Sequence, residues 1–194
     1  MRLADITEQN GDEAALRERL IARRGAVVGP FQALVRSPRL CEHLETLSTY
    51  CMRESALPLR LRELTLLIAA RAFDAQHSWN AHFEKAVAAG VDRASLERLA
   101  RRQDPDFTRS DERILHRFAT EALLGHFVDD DTYAAALAEF GESALVDLVA
   151  SLGTFTTLAM VLNTFQIDLD PAHEPPFPDV RDFRRIGPDR KAQQ

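Results

Sequence analysis

Residues 62–90 read RELTLLIAARAFDAQHSWNAHFEKAVAAG, and the fold turns on this stretch. A carboxylate, Glu63, opens a helix whose next turns, Leu66 to Ala70, are apolar on every side. A helix of that kind is buried all round, so Glu63 is expected at the mouth of the core. A polar break follows at Asp74, and a second helix carries His77, Trp79 and His82. Trp79, His82, Phe83 and Ala86 recur at three- and four-residue steps, which puts His82 on or beside an apolar face. If the two helices pack as a hairpin, about eleven helical residues run up and about seven run back. That geometry permits contact between Glu63 and His82 without forcing it.

The rest of the chain is read in the same way and contains no convincing alternating strand. Asp12 to Arg24 forms a charged amphipathic helix. Gly29-Pro30 starts a short helix through Val35. Ser37-Pro38 supplies an N-cap and a first-turn proline for a helix to about Arg53. Asp74 is expected to cap the His82 helix and Gly90 to end it in a left-handed conformation. Asp92 caps a helix to about Arg101. After the polar loop RRQDPDFTRS, Ser110 caps a helix to Leu124, and Asp129 caps another that stops at Gly141. Glu142 to Phe165 completes the set as a long apolar helix. Its interruptions (Asp147, Ser151, Gly153, Thr154, Thr156, Thr157, Asn163) mark it as a helix buried in protein rather than a membrane span.

At 194 residues, with 45% apolar and 28% charged side chains, the chain suits one globular domain with a sizeable core. Residues 1–167 are assigned to a single all-helical domain and 168–194 to a Pro-rich extended tail. Such a tail cannot form its own core. The part from Pro171 to Phe183 is expected to dock through Phe177 and Phe183, with disorder after Gly187. A formal charge of −6 leaves no basic footprint for nucleic acid. The first twenty residues lack the layout of a signal peptide. Cys41 and Cys51 lie outside metal or redox spacing, so two buried thiols in a reducing cytoplasm are expected.

The spacing around Glu63 resembles the carboxymuconolactone decarboxylase and alkylhydroperoxidase-D-like family. There, a Glu is followed twelve residues on by Cys-x-x-Cys, and a His lies four residues past the second Cys. Glu63, Ala75, Ser78 and His82 fall on those four places, so the acid–base pair is kept and both thiols are absent. SPRL at 37–40, the Arg62–Glu63 pair, AAG at 88–90 and N-x-F at 163–165 extend the likeness over roughly residues 28–167. It implies an all-α, alkylhydroperoxidase-D-like helical bundle that self-associates as a trimer or hexamer. It also implies decarboxylase-like lyase chemistry of the kind used in aromatic degradation, without a metal or organic cofactor. Thiol peroxidase activity is disfavoured, because Ala75 cannot react and Ser78 has no resolving partner.

The candidate catalytic residues are therefore His82, as acid–base group, and Glu63, as its orienting partner. Ser78, Trp79 and His77 are candidate pocket residues, and Arg62 or Arg71 a candidate partner for a substrate carboxylate. The substrate class is a small organic acid or lactone. Two readings of His82 stand side by side: an acid–base catalyst, or a core histidine satisfied by hydrogen bonding. The second belongs to a non-catalytic family member that binds a small ligand or serves as an assembly subunit. No metal site is expected, since His77 and His82 lie five apart, roughly 140° around the helix. For the threonines at 154, 156 and 157, back-bonding to carbonyls one turn earlier is the expectation.

Overall fold

A computed structural model of the chain describes residues 1–3, 11–169 and 173–179. Among these there are eight α-helices and no strand: α1 (Gly11–Arg24), α2 (Phe31–Leu34), α3 (Pro38–Arg53), α4 (Leu59–Ala72), α5 (Gln76–Ala88), α6 (Arg93–Ala100), α7 (Ser110–Thr120) and α8 (Asp130–Phe165). A π-helical turn, Glu121–Gly125, follows α7.

Helix α4 is the axis of the bundle. From Leu61 to Arg71 every residue except Arg62 is buried, and α3, α5, α6, α7 and α8 all pack on it. Burying a leucine side chain is worth about 1.5–3 kcal/mol, so Leu61, Leu64, Leu66 and Leu67 contribute much of the stability. Helix α8 is long and apolar enough to cross a bilayer by length and composition alone. Here its inner face, including Leu148, Leu152, Phe155, Ala159 and Leu162, is buried against α2, α3, α4 and α7. The helix breaks at Gly141, where φ 76 and ψ 167 leave helical space. No heavy atom crowds that Cα, so the backbone conformation alone selects glycine. The two halves match the expected boundary at Gly141.

Of the five expected N-caps, two form. Asp92 accepts from Ser95 N at 2.9 Å and Asp129 from Thr132 N at 2.7 Å, as expected of N-caps. Three expected caps do not form. Ser37 holds the N-cap place before Pro38 but makes no side-chain cap bond. Asp74 is drawn away to Arg71 and Arg102, so Ala75 stands at the start of α5. Ser110 lies inside α7, one residue past Arg109, and the helix ends at Thr120 before the π turn instead of at Leu124. Ion pairs with Arg71 of α4 and with Arg102, just past α6, take the place of the cap at Asp74.

The tail folds back. Phe177 is buried, edge-on to Trp79 with ring centroids 5.6 Å apart, and Arg71 stacks over its ring at 4.5 Å. Gln76 donates to the Phe177 carbonyl and Asn80 to that of Glu174, which ties the strap to the first turns of α5. Phe183 and the stretch after Gly187 lie outside the described residues.

Candidate active site

The α4–α5 hairpin brings the two expected catalytic residues together. Glu63 Oε2 lies 2.7 Å from His82 Nδ1, with Glu63 5% and His82 20% exposed at the side chain. A carboxylate can only accept, so the proton of this bond sits on Nδ1. Nε2, across the ring, makes no hydrogen bond within the described chain and is the nitrogen left for a substrate.

The pair faces a partly open cavity of about 930 Å³, at the upper end of the range for small-molecule sites. Its apolar surface comes from Phe31, Leu66, Ala70, Phe155, Leu158 and Leu162, which belong to α2, α4 and α8. Helix α5 adds His77, Ser78, Ala81, His82 and Lys85, and the ends of α1 and α3 add a charged edge. The π turn and α6 take no part.

Ser78 and His77 both line this cavity, as expected. No hydrogen bond joins Ser78 to His82, whose Nδ1 is turned to Glu63, so the arrangement is not that of a nucleophile–base pair. His77 packs on Gly29: a Cβ at that position would lie 3.0 Å from His77 Nε2, and Gly29 has φ +60. Glycine there serves both the turn and the close approach of the imidazole.

Trp79 corrects the expectation. It is 2% exposed, does not line the cavity, and instead meets Phe83 and Phe177. It supports α5 from behind. The two candidate carboxylate-binding arginines are likewise engaged elsewhere. Arg62 donates to the carbonyls of Leu57 and Met52; Arg71 donates to the Ala100 carbonyl and Asp74 and stacks on Phe177. Neither lines the cavity.

The cationic residues at the cavity are Arg23, Arg24, Arg53 and Lys85, accompanied by Glu45 and Glu54. Sequence reasoning missed them because α1 reads as a charged amphipathic helix and nothing local marks Arg53 at the end of α3, or Lys85 on α5, as facing a cavity. A faint signal existed at Glu45, which shares a helix face with Cys41 and Ser48, at steps of four and three residues. Glu45 is indeed buried, held by Arg23 at 3.0 Å and Thr49 at 3.2 Å.

No cysteine lines the cavity. Ala75 is buried at the start of α5. Cys41 and Cys51 are free and buried, and burial pushes the Cys41 thiol up to about 11. Among the described residues, no group of three or more His, Cys, Asp or Glu side chains could hold a metal ion. Thr154 and Thr157 bond back to the carbonyls of Ala150 and Gly153, as expected; Thr156 corrects the expectation, because its buried Oγ1 has no hydrogen-bond partner among the described residues. Asn163 donates to the Phe73 carbonyl and fixes the α4–α5 turn to α8.

No family profile matches the sequence, and no curated protein matches it. Solved structures do. An uncharacterised peroxidase-related protein from Silicibacter sp. TM1040 superposes with a TM-score of 0.70 at 16% identity, over 88% of this chain and 92% of that one. The alkylhydroperoxidase AhpD core of an uncharacterised peroxidase-related protein from Ralstonia eutropha JMP134 gives 0.69 at 15% identity, over 89% and 92%. At these identities the likeness is one of fold: the chain has the all-α, alkylhydroperoxidase-D-like fold.

Proposed function

We propose that this protein is a cofactor-free, decarboxylase-like lyase acting on a small carboxylated lactone or related organic acid. The observation that carries the reading is the 2.7 Å contact between Glu63 and His82 at the wall of the large cavity. Glu63 fixes the imidazole's tautomer and orientation, which leaves Nε2 to exchange a proton with bound substrate. When the carboxylate leaves as carbon dioxide, its bonding electron pair passes into the adjoining unsaturated carbonyl system. The imidazolium of His82 then returns one proton to carbon and is recharged from solvent. The absence of any cysteine from the cavity lining speaks against thiol peroxidase turnover.

The test is carbon dioxide release from γ-carboxymuconolactone by wild type and His82→Ala, with thermal melting of both. Release by the wild type alone, with the variant still folded, supports the lyase. Release by neither removes this substrate. A variant that fails to fold favours His82 as a core residue.

A second reading, an assembly subunit that has kept the fold without the chemistry, draws on the outer face of α8. Val146, Val149 and Met160 there are 68%, 53% and 53% exposed, and Ala150, Gly153 and Thr157 share that face. Exposed apolar patches of this kind mark interaction sites, and self-association as a trimer or hexamer is proposed on that surface, in either reading. Light scattering of wild type and Val149→Arg tests it; an unchanged mass would count against the surface. The free buried thiols suit a reducing, cytoplasmic location.

A further inference from the structure

The edge of the cavity formed by α1 and α3 carries three solvent-exposed arginines, Arg23, Arg24 and Arg53, and two carboxylates, Glu45 and Glu54. Arg24 is the last residue of α1 and Arg53 the last of α3, and both line the cavity. The buried carboxylate between them, Glu45, is already engaged by Arg23 and Thr49. Arg24 stands 3.9 Å from Glu45, too far for a good hydrogen bond. Arg53 has no ion pair among the described residues, and neither does Glu54, which also lines the cavity. Arg24 is held by stacking on Phe31, its guanidinium carbon 4.4 Å from the ring centroid. A stacked guanidinium keeps its in-plane N–H groups for another partner, and that fork matches a carboxylate.

We propose that Arg24 and Arg53 form the anion-anchoring subsite of this cavity and hold a carboxylate of the substrate, whose compact apolar body lies along Phe31 and the α4–α8 wall. The inference rests on the acid–base reading of Glu63 and His82 and adds to it the residues that bind and orient the acid. Three arginines meet two carboxylates at this edge, which leaves room for one further negative charge. A monoanionic carboxylate satisfies that balance, whereas a phosphate dianion would bring excess charge close to Glu45. The proximity of the two arginines has a second sign: burial lowers the Arg24 pKa from its ordinary value, Glu45 opposes the shift, and Arg53 adds to it. Arginine stays charged regardless, so the mutual repulsion is relieved by a bound anion rather than by deprotonation.

The subsite is tested by calorimetric titration with benzoate, benzamide and inorganic phosphate. The proteins are wild type, Arg53→Gln, Arg24→Gln and His82→Gln, each checked by thermal melting. Saturable benzoate binding by wild type is expected, with benzamide weaker by about tenfold or more, the value of a charge-assisted hydrogen bond. Arg53→Gln, which removes no internal ion pair, should weaken benzoate by a similar factor at an unchanged melting temperature. His82→Gln should leave benzoate binding within about twofold, since it lacks the anchoring charges. Equal binding of benzoate and benzamide, no benzoate binding by wild type, tighter phosphate than benzoate, or indifference to Arg53→Gln would each overturn the subsite. The readout is independent of catalysis. Arginine-dependent benzoate binding without carbon dioxide release sinks the lyase and keeps the anchor; His82-dependent release with arginine-independent binding does the reverse.

Discussion

Glu63 Oε2 and His82 Nδ1 meet at 2.7 Å across nineteen residues, and the contact is made by the hairpin of α4 and α5 rather than by any long-range closure. The central position of α4 buries the carboxylate, while α5 leaves the imidazole one-fifth exposed at the cavity. A buried acceptor beside a partly exposed imidazole orients that ring without blocking its outer nitrogen. On the proposed lyase reading, His82→Ala should lower the rate of carbon dioxide release by about 100-fold or more, the usual share of a general acid–base group. Glu63→Gln should lower it less, because an amide oxygen can still accept from Nδ1. Steady-state kinetics of both variants decide this; a Glu63→Gln rate below that of His82→Ala would mean that the carboxylate itself does chemistry.

The hairpin was legible because its information is local. Apolar positions on α4, the break at Asp74 and the place of His82 all lie within thirty residues. Asp92 and Asp129 were legible for the same reason, since each cap reaches only three residues forward. Asp74 was not, because Arg71, three residues back, and Arg102, twenty-eight residues on, both take its carboxylate. Trp79 was placed at the pocket when its true neighbour is Phe177, brought in by the returning tail. The charged edge formed by Arg24, Glu45 and Arg53 joins two helices whose amphipathic patterns, read singly, send every arginine to solvent.

Arg60 of α4 pairs with Asp111 and Glu112 of α7. Glu112 is almost wholly buried, so removing its partner leaves an uncompensated charge in the core. Arg60→Ala should cost about 3–5 kcal/mol in urea denaturation. Arg60→Met combined with Glu112→Leu should recover much of that loss, because the buried Glu112 charge is then gone and the less buried Asp111 keeps Arg109 at 3.6 Å. A single-variant cost below about 1 kcal/mol would show that the pair behaves as an exposed one.

Burial pushes the Cys41 thiol up from 9.0 to about 11, with Glu45 and Glu42 adding to the shift and Arg24 opposing it. The fold thus favours the protonated thiol. Between those values the folded chain holds more protons than the unfolded one, so stability falls as pH rises. The contribution is complete below about pH 9 and is lost through about pH 11. Wild type should therefore lose more stability between pH 8 and pH 10.5 than Cys41→Ala, measured by denaturant titration at each pH. Parallel losses in the two proteins would show that other groups govern the alkaline limb.

Phe177 offers the most direct optical test, since Trp79 is the chain's single tryptophan and the two rings touch edge to face. The strap is secured by that contact, by Arg71 stacked over the Phe177 ring and by two side-chain bonds to its backbone from α5. An aromatic pair contributes about 0.5–1.5 kcal/mol beyond the area it buries, and Phe177 is the one buried residue among the described residues 173–179. Phe177→Ala should release the segment, hydrate the indole and shift Trp79 emission to longer wavelength. Thermolysin should then cut between residues 168 and 179 faster than in wild type. Because the strap braces α5 from the side opposite the cavity, the same variant should, on the proposed lyase reading, weaken substrate binding more than it slows the proton transfer. Unchanged emission and unchanged cleavage would mean that Trp79 stays shielded by Phe83 and the core alone, and that the tail contributes nothing to holding the His82 helix.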